Sequence, residues 1–242
     1  LLWPYLILGF ILGMGGLFGS GESFRRNVGM NVDPVMYFVA STFVAMASMN
    51  VMWGVGGEVL FQRWVGTLPY VLLTPIKTSL IFIITYIPRY FLSTTIQILE
   101  FAPLILLVSG PVDGAFRIGI LILSATIGML PLLGFSAIFA SFLLTVEEES
   151  NVLSWLNPII LLFSGAFYPA YLLPYWARLI SYVLPSTYTI ELARTAAVIG
   201  SPNLSYMTFL IGVLVGITFL YNIFAYLMMD AGERRALRSG AI

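Results

Sequence analysis

Long blocks of apolar residues, separated by short polar segments, dominate this chain of 242 residues. A helix needs about 20 apolar residues to cross the hydrocarbon core of a bilayer. The strands of a transmembrane barrel would alternate apolar and polar residues, which these blocks do not. The pattern predicts an all-α polytopic membrane protein with six transmembrane helices, forming a single transmembrane domain over residues 1–242. The predicted spans cover about residues 1–17, 35–57, 80–101, 118–145, 152–167 and 204–229.

Two apolar segments depart from simple spanning. Residues 58–77 mix charged, aromatic and proline residues, which predicts a short amphipathic helix at a membrane surface. Residues 168–198 are cut by Pro169, Pro174 and Pro185 into pieces of about ten residues, too short to cross the bilayer. Non-helical backbone at membrane depth must be buried in protein or line water. We therefore expect residues 168–198 to form a re-entrant or interfacial helical hairpin between the fifth and sixth spans.

The composition excludes several classes of protein. Hydrophobic residues make up 60% and charged residues 9% of the chain, whereas a soluble domain has roughly 25% charged residues. Eleven basic residues balanced by eleven acidic ones leave no positive stripe for a nucleic acid. The chain has no His and no Cys, and its one lysine, Lys77, follows Ile76 where a phosphate-binding loop needs Gly. We expect a non-catalytic membrane protein that holds no metal or cofactor of its own.

Two groups of short motifs lie in the two unusual segments. The first contains Gly66-Thr67-Leu68 followed by Thr74-Pro75. The second reads SGAFYP over residues 164–169, then LPYW, LPSTY and a final ExxR. Together these motifs resemble the membrane subunits of type-2 ABC transporters, the exporter permeases of the drug-resistance, polysaccharide and lipid-linked kind. In the second segment the motif residues are Ser164, Gly165, Tyr168, Pro169, Pro174, Trp176, Pro185, Tyr188, Glu191 and Arg194.

The resemblance implies a function and a set of partners. It implies an ATP-driven exporter in the cell membrane that moves a hydrophobic or amphipathic substrate. ATP and Mg²⁺ would bind to a separate ATPase subunit, and two permease chains, identical or different, would pair in the lipid bilayer. Residues 168–198 would lie outside the cell, and residues 58–75 would be a cytoplasmic coupling helix. The implied coupling residues are Glu58, Arg63, Trp64, Gly66, Thr67, Leu68, Thr74 and Pro75.

Spacing within residues 58–75 adds a local expectation. Trp64 and Leu68 are four residues apart, which predicts that they share one apolar helix face. Glu58 and Arg63 are expected to anchor the ends of the helix. The alternative is an interfacial helix that only tethers a loop.

Charge gives a weak indication of orientation. The predicted loops divide the basic residues equally between the two sides, so the positive-inside rule does not decide. The arginines that follow the last span, Arg234, Arg235 and Arg238, favour a cytoplasmic C-terminus.

The third span contains an unusual polar stripe of Arg89, Ser93, Gln97 and Glu100. At 100° per residue these four side chains lie on one helix face, but Arg89 and Glu100 are about 16 Å apart along the axis, too far to pair. The stripe either lines a substrate path or forms a buried network with neighbouring spans. Two alternative functions follow: an ion- or proton-driven secondary transporter using Arg89 and Glu100, and a non-transporting membrane scaffold.

Overall fold

The described part of the protein is helical. The structure is a computed structural model that describes residues 34–144, 161–198 and 203–239, together with Tyr5, Leu6, Gly9, Pro158 and Ile159. These residues form helices and connecting turns, with no strand among them. Residues Ala170–Leu172 form a 3₁₀ turn. In chain order the α-helices are α1 (Pro34–Val65), α2 (Leu68–Leu72), α3 (Thr78–Ser109), α4 (Pro111–Leu143), α5 (Tyr175–Val183), α6 (Pro185–Ala197) and α7 (Leu204–Ser239).

Four of these helices, α1, α3, α4 and α7, are long and apolar enough to cross a membrane. They correspond to the second, third, fourth and sixth predicted spans, and they give the chain the character of a membrane-embedded protein. The predicted first and fifth spans lie largely outside the described residues. The helices α1 and α3 are each 32 residues long and extend beyond the predicted spans. Helix α3 continues through Pro88 and Pro103 because neighbouring helices in an apolar bundle can compensate for interrupted backbone bonding.

Helix α4 lies at the centre and contacts α1, α3, α6 and α7. Two apolar clusters divide the bundle along its length. One joins the first half of α1 to the second half of α3 and to α6, with Phe43, Phe101 and Ala193 among its buried members. The other joins the second half of α1 to the first half of α3 and the second half of α4, with Val55 and Phe82 among its members. The bundle therefore has two ends with different surroundings.

We call these the turn end and the hairpin end. At the turn end lie residues 66–77, which connect α1 to α3, and the C-terminal parts of α4 and α7. An ion pair of 2.9 Å between Lys77 Nζ and Asp230 Oδ1 ties the connecting turn to α7, and hydrogen bonding and charge from Asp230 raise the pKa of Lys77. At the hairpin end lie residues 164–173, the start of α1 and the turn between α3 and α4 at Gly110.

The helices α5 and α6 reach from the hairpin end to the middle of the bundle. They are 9 and 13 residues long, and they begin immediately after Pro174 and at Pro185. The turn between them packs at mid-height: Leu184 lies in a cluster with Met52 of α1 and with Phe135 and Phe139 of α4. From α7, the hydroxyl of Tyr221 donates a hydrogen bond of 2.6 Å to the carbonyl of Val183.

Close approach between α4 and α7 depends on Gly134. A Cβ at this position would lie 2.7 Å from the backbone nitrogen of Asn222, and backbone cannot move aside as a flexible side chain can. Gly119, also on α4, has open space around the same position. We therefore expect Gly134→Ala to destabilise the bundle by about 1–3 kcal/mol, as overpacking does in a close-packed interior.

The matched control is Gly119→Ala. Since alanine is favoured over glycine in a helix by up to about 1 kcal/mol, this variant should keep or raise the stability. The measurement is the thermal unfolding midpoint of the purified protein in detergent. Equal midpoints for the two variants would contradict the close α4–α7 packing.

Candidate functional site

Gly66 ends helix α1 and sets the course of the turn. Its φ of +77° lies in the left-handed region, which glycine adopts without steric cost. The amide of Gly66 donates to the carbonyl of Arg63 at 3.0 Å, and the amide of Thr67 donates to the carbonyl of Gln62 at 2.9 Å. These bonds satisfy carbonyls that the last turn of a helix leaves free. The Thr67 hydroxyl also hydrogen-bonds the Gln62 side chain, and α2 begins at Leu68.

The prediction of one amphipathic helix over residues 58–75 is wrong in its bounds. Glu58 to Val65 belong to α1, and only residues 68–72 form a separate helix. Trp64 and Leu68 therefore do not share a face: Trp64 is 77% exposed, whereas Leu68 is 3% exposed. The spacing of four positions places two side chains on one face only in a continuous helix, and the left-handed backbone at Gly66 interrupts the helix between them.

The turn instead has a packed inner side and an exposed apolar outer side. Leu68 and Leu72 are buried in the apolar cluster at the turn end. Thr74 donates from Oγ1 to the carbonyl of Val71 at 2.7 Å, which closes the end of α2 before the exposed Pro75. We call the outer side the docking face and define it by four of the exposed apolar side chains there, Trp64, Tyr70, Leu73 and Ile76.

Glu58 is buried within α1 and pairs with α3. Its carboxylate oxygen Oε2 lies 3.2 Å from Nη1 of Arg89, and its Oε1 accepts a hydrogen bond of 3.0 Å from Gln62. The side chain of Glu58 is 5% exposed and that of Arg89 is 58% exposed. The expectation that Glu58 anchors the end of a surface helix is therefore wrong, because its carboxylate faces the neighbouring long helix.

Arg63 reaches α4 rather than the end of a surface helix. Its Nη2 donates to the carbonyl of Leu143 at 2.8 Å. That carbonyl belongs to the last turn of α4, where a cation is favoured by the helix dipole.

The polar stripe on α3 contacts α1 at two levels. Arg89 bonds Glu58, and Gln97 donates from Nε2 to the carbonyl of Phe43 at 2.7 Å. Between them, Ser93 bonds the carbonyl of Tyr90 on its own helix. Glu100 is half-buried, and its backbone carbonyl accepts a hydrogen bond from Tyr5. The stripe thus joins two helices, and the carboxylate partner of Arg89 is Glu58.

At the hairpin end, a buried guanidinium joins three segments. Arg194 of α6 is 4% exposed and lies 3.9 Å from the centre of the Tyr37 ring. Its Nε donates to Ser41 Oγ at 2.7 Å, and its Nη2 donates to the carbonyl of Ala166 at 2.8 Å. Arginine suits this site because its planar group stacks on a ring and donates in two directions at once.

The other hairpin motif residues differ in exposure. Ser164, Gly165, Pro169 and Pro185 are buried, and Gly165 adopts a φ of +79° directly before the carbonyl that binds Arg194. Tyr168, Tyr188 and Glu191 are partly exposed, and Pro174 and Trp176 are exposed.

Sequence reasoning missed Tyr37, Ser41 and Tyr206. Tyr37 and Ser41 hold Arg194, and Tyr206 donates a hydrogen bond to Glu191 at 3.4 Å. Ser41 and Arg194 are 153 positions apart in the chain, and no local pattern links them.

Comparison of the chain with protein-family models, curated proteins and solved structures gave no significant match. What the two ends of the bundle do therefore has to be inferred from their own residues.

Replacing Glu58 and replacing Arg89 should lower the stability of the protein by different amounts. Arg89→Ala leaves a buried carboxylate without its cation, and we expect a loss of about 2–3 kcal/mol, less than for a fully buried pair because Arg89 is partly exposed. Glu58→Gln retains a polar group for Gln62 and should cost less. The double variant should be more stable than Arg89→Ala alone, as measured by thermal unfolding of the purified protein. Additive losses in the double variant would contradict an energetic coupling between the two residues.

Proposed function

We propose that this chain is the membrane subunit of an ATP-driven exporter of the type-2 ABC kind. In this proposal it forms the path for a hydrophobic or amphipathic substrate in the cell membrane. Separate ATPase subunits bind ATP and Mg²⁺ and supply the driving energy. A second permease chain, identical or different, completes the path.

One observation carries the proposal: the turn after α1 is fixed to the bundle on its inner side and apolar on its outer side. A loop exposed to water favours polar residues, yet the docking face presents Trp64, Tyr70 and Leu73, each more than 70% exposed. Several large, exposed apolar side chains within one short segment are typical of protein–protein contacts. The Gly66-Thr67-Leu68 and Thr74-Pro75 motifs frame this face, which supports an ATPase subunit as its occupant.

The inner contacts make the turn suitable for transmitting force. Leu68 and Leu72 attach α2 to the bundle, Arg63 attaches the end of α1 to α4, and Glu58 attaches α1 to α3. A displacement of the docking face would therefore move three long helices together. If the ATPase contacts the docking face differently in its different nucleotide states, each state would favour a different arrangement of the helices in the bundle.

The surfaces of the long helices support a lipid environment and a second chain. The most apolar part of α1 is mostly buried inside the bundle, whereas those of α3 and α7 are mostly exposed. Exposed apolar helix faces of this length suit contact with lipid or with a partner permease. The pair α5–α6, which reaches mid-height without crossing, supports a re-entrant hairpin at the outer side.

The geometry of α3 favours an exporter over an ion-driven transporter. A relay through Arg89 and Glu100 needs Arg89 to exchange partners along the path. Arg89 is instead held by Glu58 of α1, which supports a structural role for this cation.

The central test is a double variant of the docking face, Trp64→Asp with Tyr70→Asp. Two unpaired charges in an apolar contact should weaken ATPase binding by about 3 kcal/mol or more, on the order of 100-fold. The variant should fold normally, because both side chains are exposed. The measurement is retention of ATPase subunits when the permease is purified from native membranes, together with substrate-stimulated ATP hydrolysis.

A matched control exists at the other end of the bundle. Tyr175 and Trp176 are also exposed, and changing both to Asp should leave ATPase retention unaltered. Leu68→Asp is unsuitable because Leu68 is buried and its loss would unfold the turn itself. Normal retention and stimulation in the Trp64/Tyr70 variant would overturn the proposal.

Topology gives an independent prediction. The arginines that follow the last span, Arg234 and Arg235 among them, lie at the turn end, which supports a cytoplasmic position for that end. Because the chain has no cysteine, Thr74→Cys and Asn203→Cys each introduce a single probe, and both positions are exposed. An impermeant maleimide applied to intact cells should label Asn203→Cys and spare Thr74→Cys. The reverse pattern would invert the proposed orientation.

A further inference from the structure

A cavity of about 450 Å³ opens between the α5–α6 hairpin and the first turns of α7. Its walls are largely aromatic, with Tyr171, Tyr182, Tyr188, Tyr206 and Phe209 among the lining residues. Glu191 alone is charged among the described residues that line it. A volume of this size falls within the range of small-molecule sites, about 300–1,000 Å³.

The Glu191 carboxylate has no counter-charge in the described part of the chain. No ion pair to it is found there, and its one side-chain hydrogen bond is the long contact of 3.4 Å from the Tyr206 hydroxyl. Arg194 lies three residues further along α6, but its guanidinium is engaged by Ser41, the Ala166 carbonyl and the Tyr37 ring. A carboxylate in a largely aromatic wall without a counter-charge favours a bound positive charge.

The aromatic walls favour the same charge. The faces of tyrosine and phenylalanine rings attract cations. Tyr206 and Phe209 stack with centroids 6.4 Å apart and planes inclined by 21°, so the α7 side is a nearly continuous ring surface. On the opposite side, the Tyr188 hydroxyl donates to the carbonyl of Tyr182 at 3.0 Å, which holds its ring in place. Burial raises the pKa of Tyr188, so its phenol stays neutral and adds no second negative charge.

We propose that this cavity binds an amphipathic organic cation, with the positive centre beside Glu191 and the apolar groups against the tyrosine and phenylalanine rings. The site stands on the geometry of this chain alone. It does not depend on an ATPase partner, and binding is therefore measurable on the purified permease whether or not the export proposal holds.

The probe is radiolabelled tetraphenylphosphonium, which combines one positive charge with four phenyl rings. Its matched counterpart is tetraphenylborate, which has the same shape and a negative charge. We expect saturable binding of the phosphonium to the full chain in detergent and no displacement by the borate. Glu191→Gln should raise the Kd about tenfold or more, as loss of a desolvated charge contact does.

Three further variants distinguish the contributions that the Glu191 charge, the Tyr206 ring and the Tyr206 hydroxyl make to binding of the probe. Glu233→Gln removes one acidic group near the far end of α7, about 40 Å along the helix from Tyr206, and should leave the Kd unchanged. Tyr206→Leu removes one aromatic wall and should raise the Kd about threefold or more. Tyr206→Phe keeps the ring and frees the carboxylate from its hydrogen bond, so it should bind the cation at least as tightly as the wild type.

A competition experiment distinguishes a free organic cation from the headgroup of a lipid as the ligand. Dihexanoylphosphatidylcholine carries its trimethylammonium next to a phosphate, and we expect it not to displace the probe. Displacement would assign the cavity to a lipid headgroup and overturn a free cation as the ligand. An unchanged Kd in Glu191→Gln, equal losses in Glu191→Gln and Glu233→Gln, or competition by the borate would overturn the site. If Glu191→Gln fails to fold, the contrast between Tyr206→Leu and Tyr206→Phe decides.

Discussion

In an apolar helical bundle a buried polar side chain is stabilised by a partner within the protein, and in this chain α1 provides several of those partners. Glu58 forms an ion pair with Arg89, the carbonyl of Phe43 accepts a hydrogen bond from Gln97, and the Ser41 hydroxyl accepts one from Arg194. Apolar helix faces of similar composition can shift against each other at small cost, whereas a displaced polar contact leaves an unsatisfied group in an apolar medium. These contacts therefore fix the register of α3 and of the hairpin on α1.

The two buried charges of this network are satisfied in different ways. Glu58 is balanced by a cation whose side chain remains partly exposed, so only one member of the pair is fully desolvated. Arg194 is held by a ring face, a hydroxyl and a carbonyl, and no carboxylate in the described part of the chain pairs with it. The first arrangement joins two long helices, and the second joins the long helix α1, the short helix α6 and the irregular segment that contains Ala166. This difference gives the turn end and the hairpin end separate structural supports.

Sequence reasoning recovered what depends on local pattern and failed where distant residues meet. Length and hydropathy were sufficient for α1, α3, α4 and α7, and the prolines marked where the two short helices α5 and α6 begin. Periodicity failed at Gly66, since a helical wheel assumes uniform backbone and one left-handed residue redirects everything after it. The partner of Arg89 is 31 positions away and that of Arg194 is 153 positions away. A single sequence contains no pattern that identifies such pairs.

Helix α1 runs without interruption from the hairpin end to the turn end. Ser41 and Glu58 are 17 positions apart on it, or about 26 Å along the axis. Over that length a tilt of about 5° moves one end by about 2 Å relative to the other, a shift large enough to break a hydrogen bond. A molecule that favoured one tilt of α1 at the hairpin end would therefore also change the position of the helix at the turn end. If a protein binds at the turn end and a ligand at the hairpin end, thermodynamic reciprocity requires that each change the affinity of the other by the same factor.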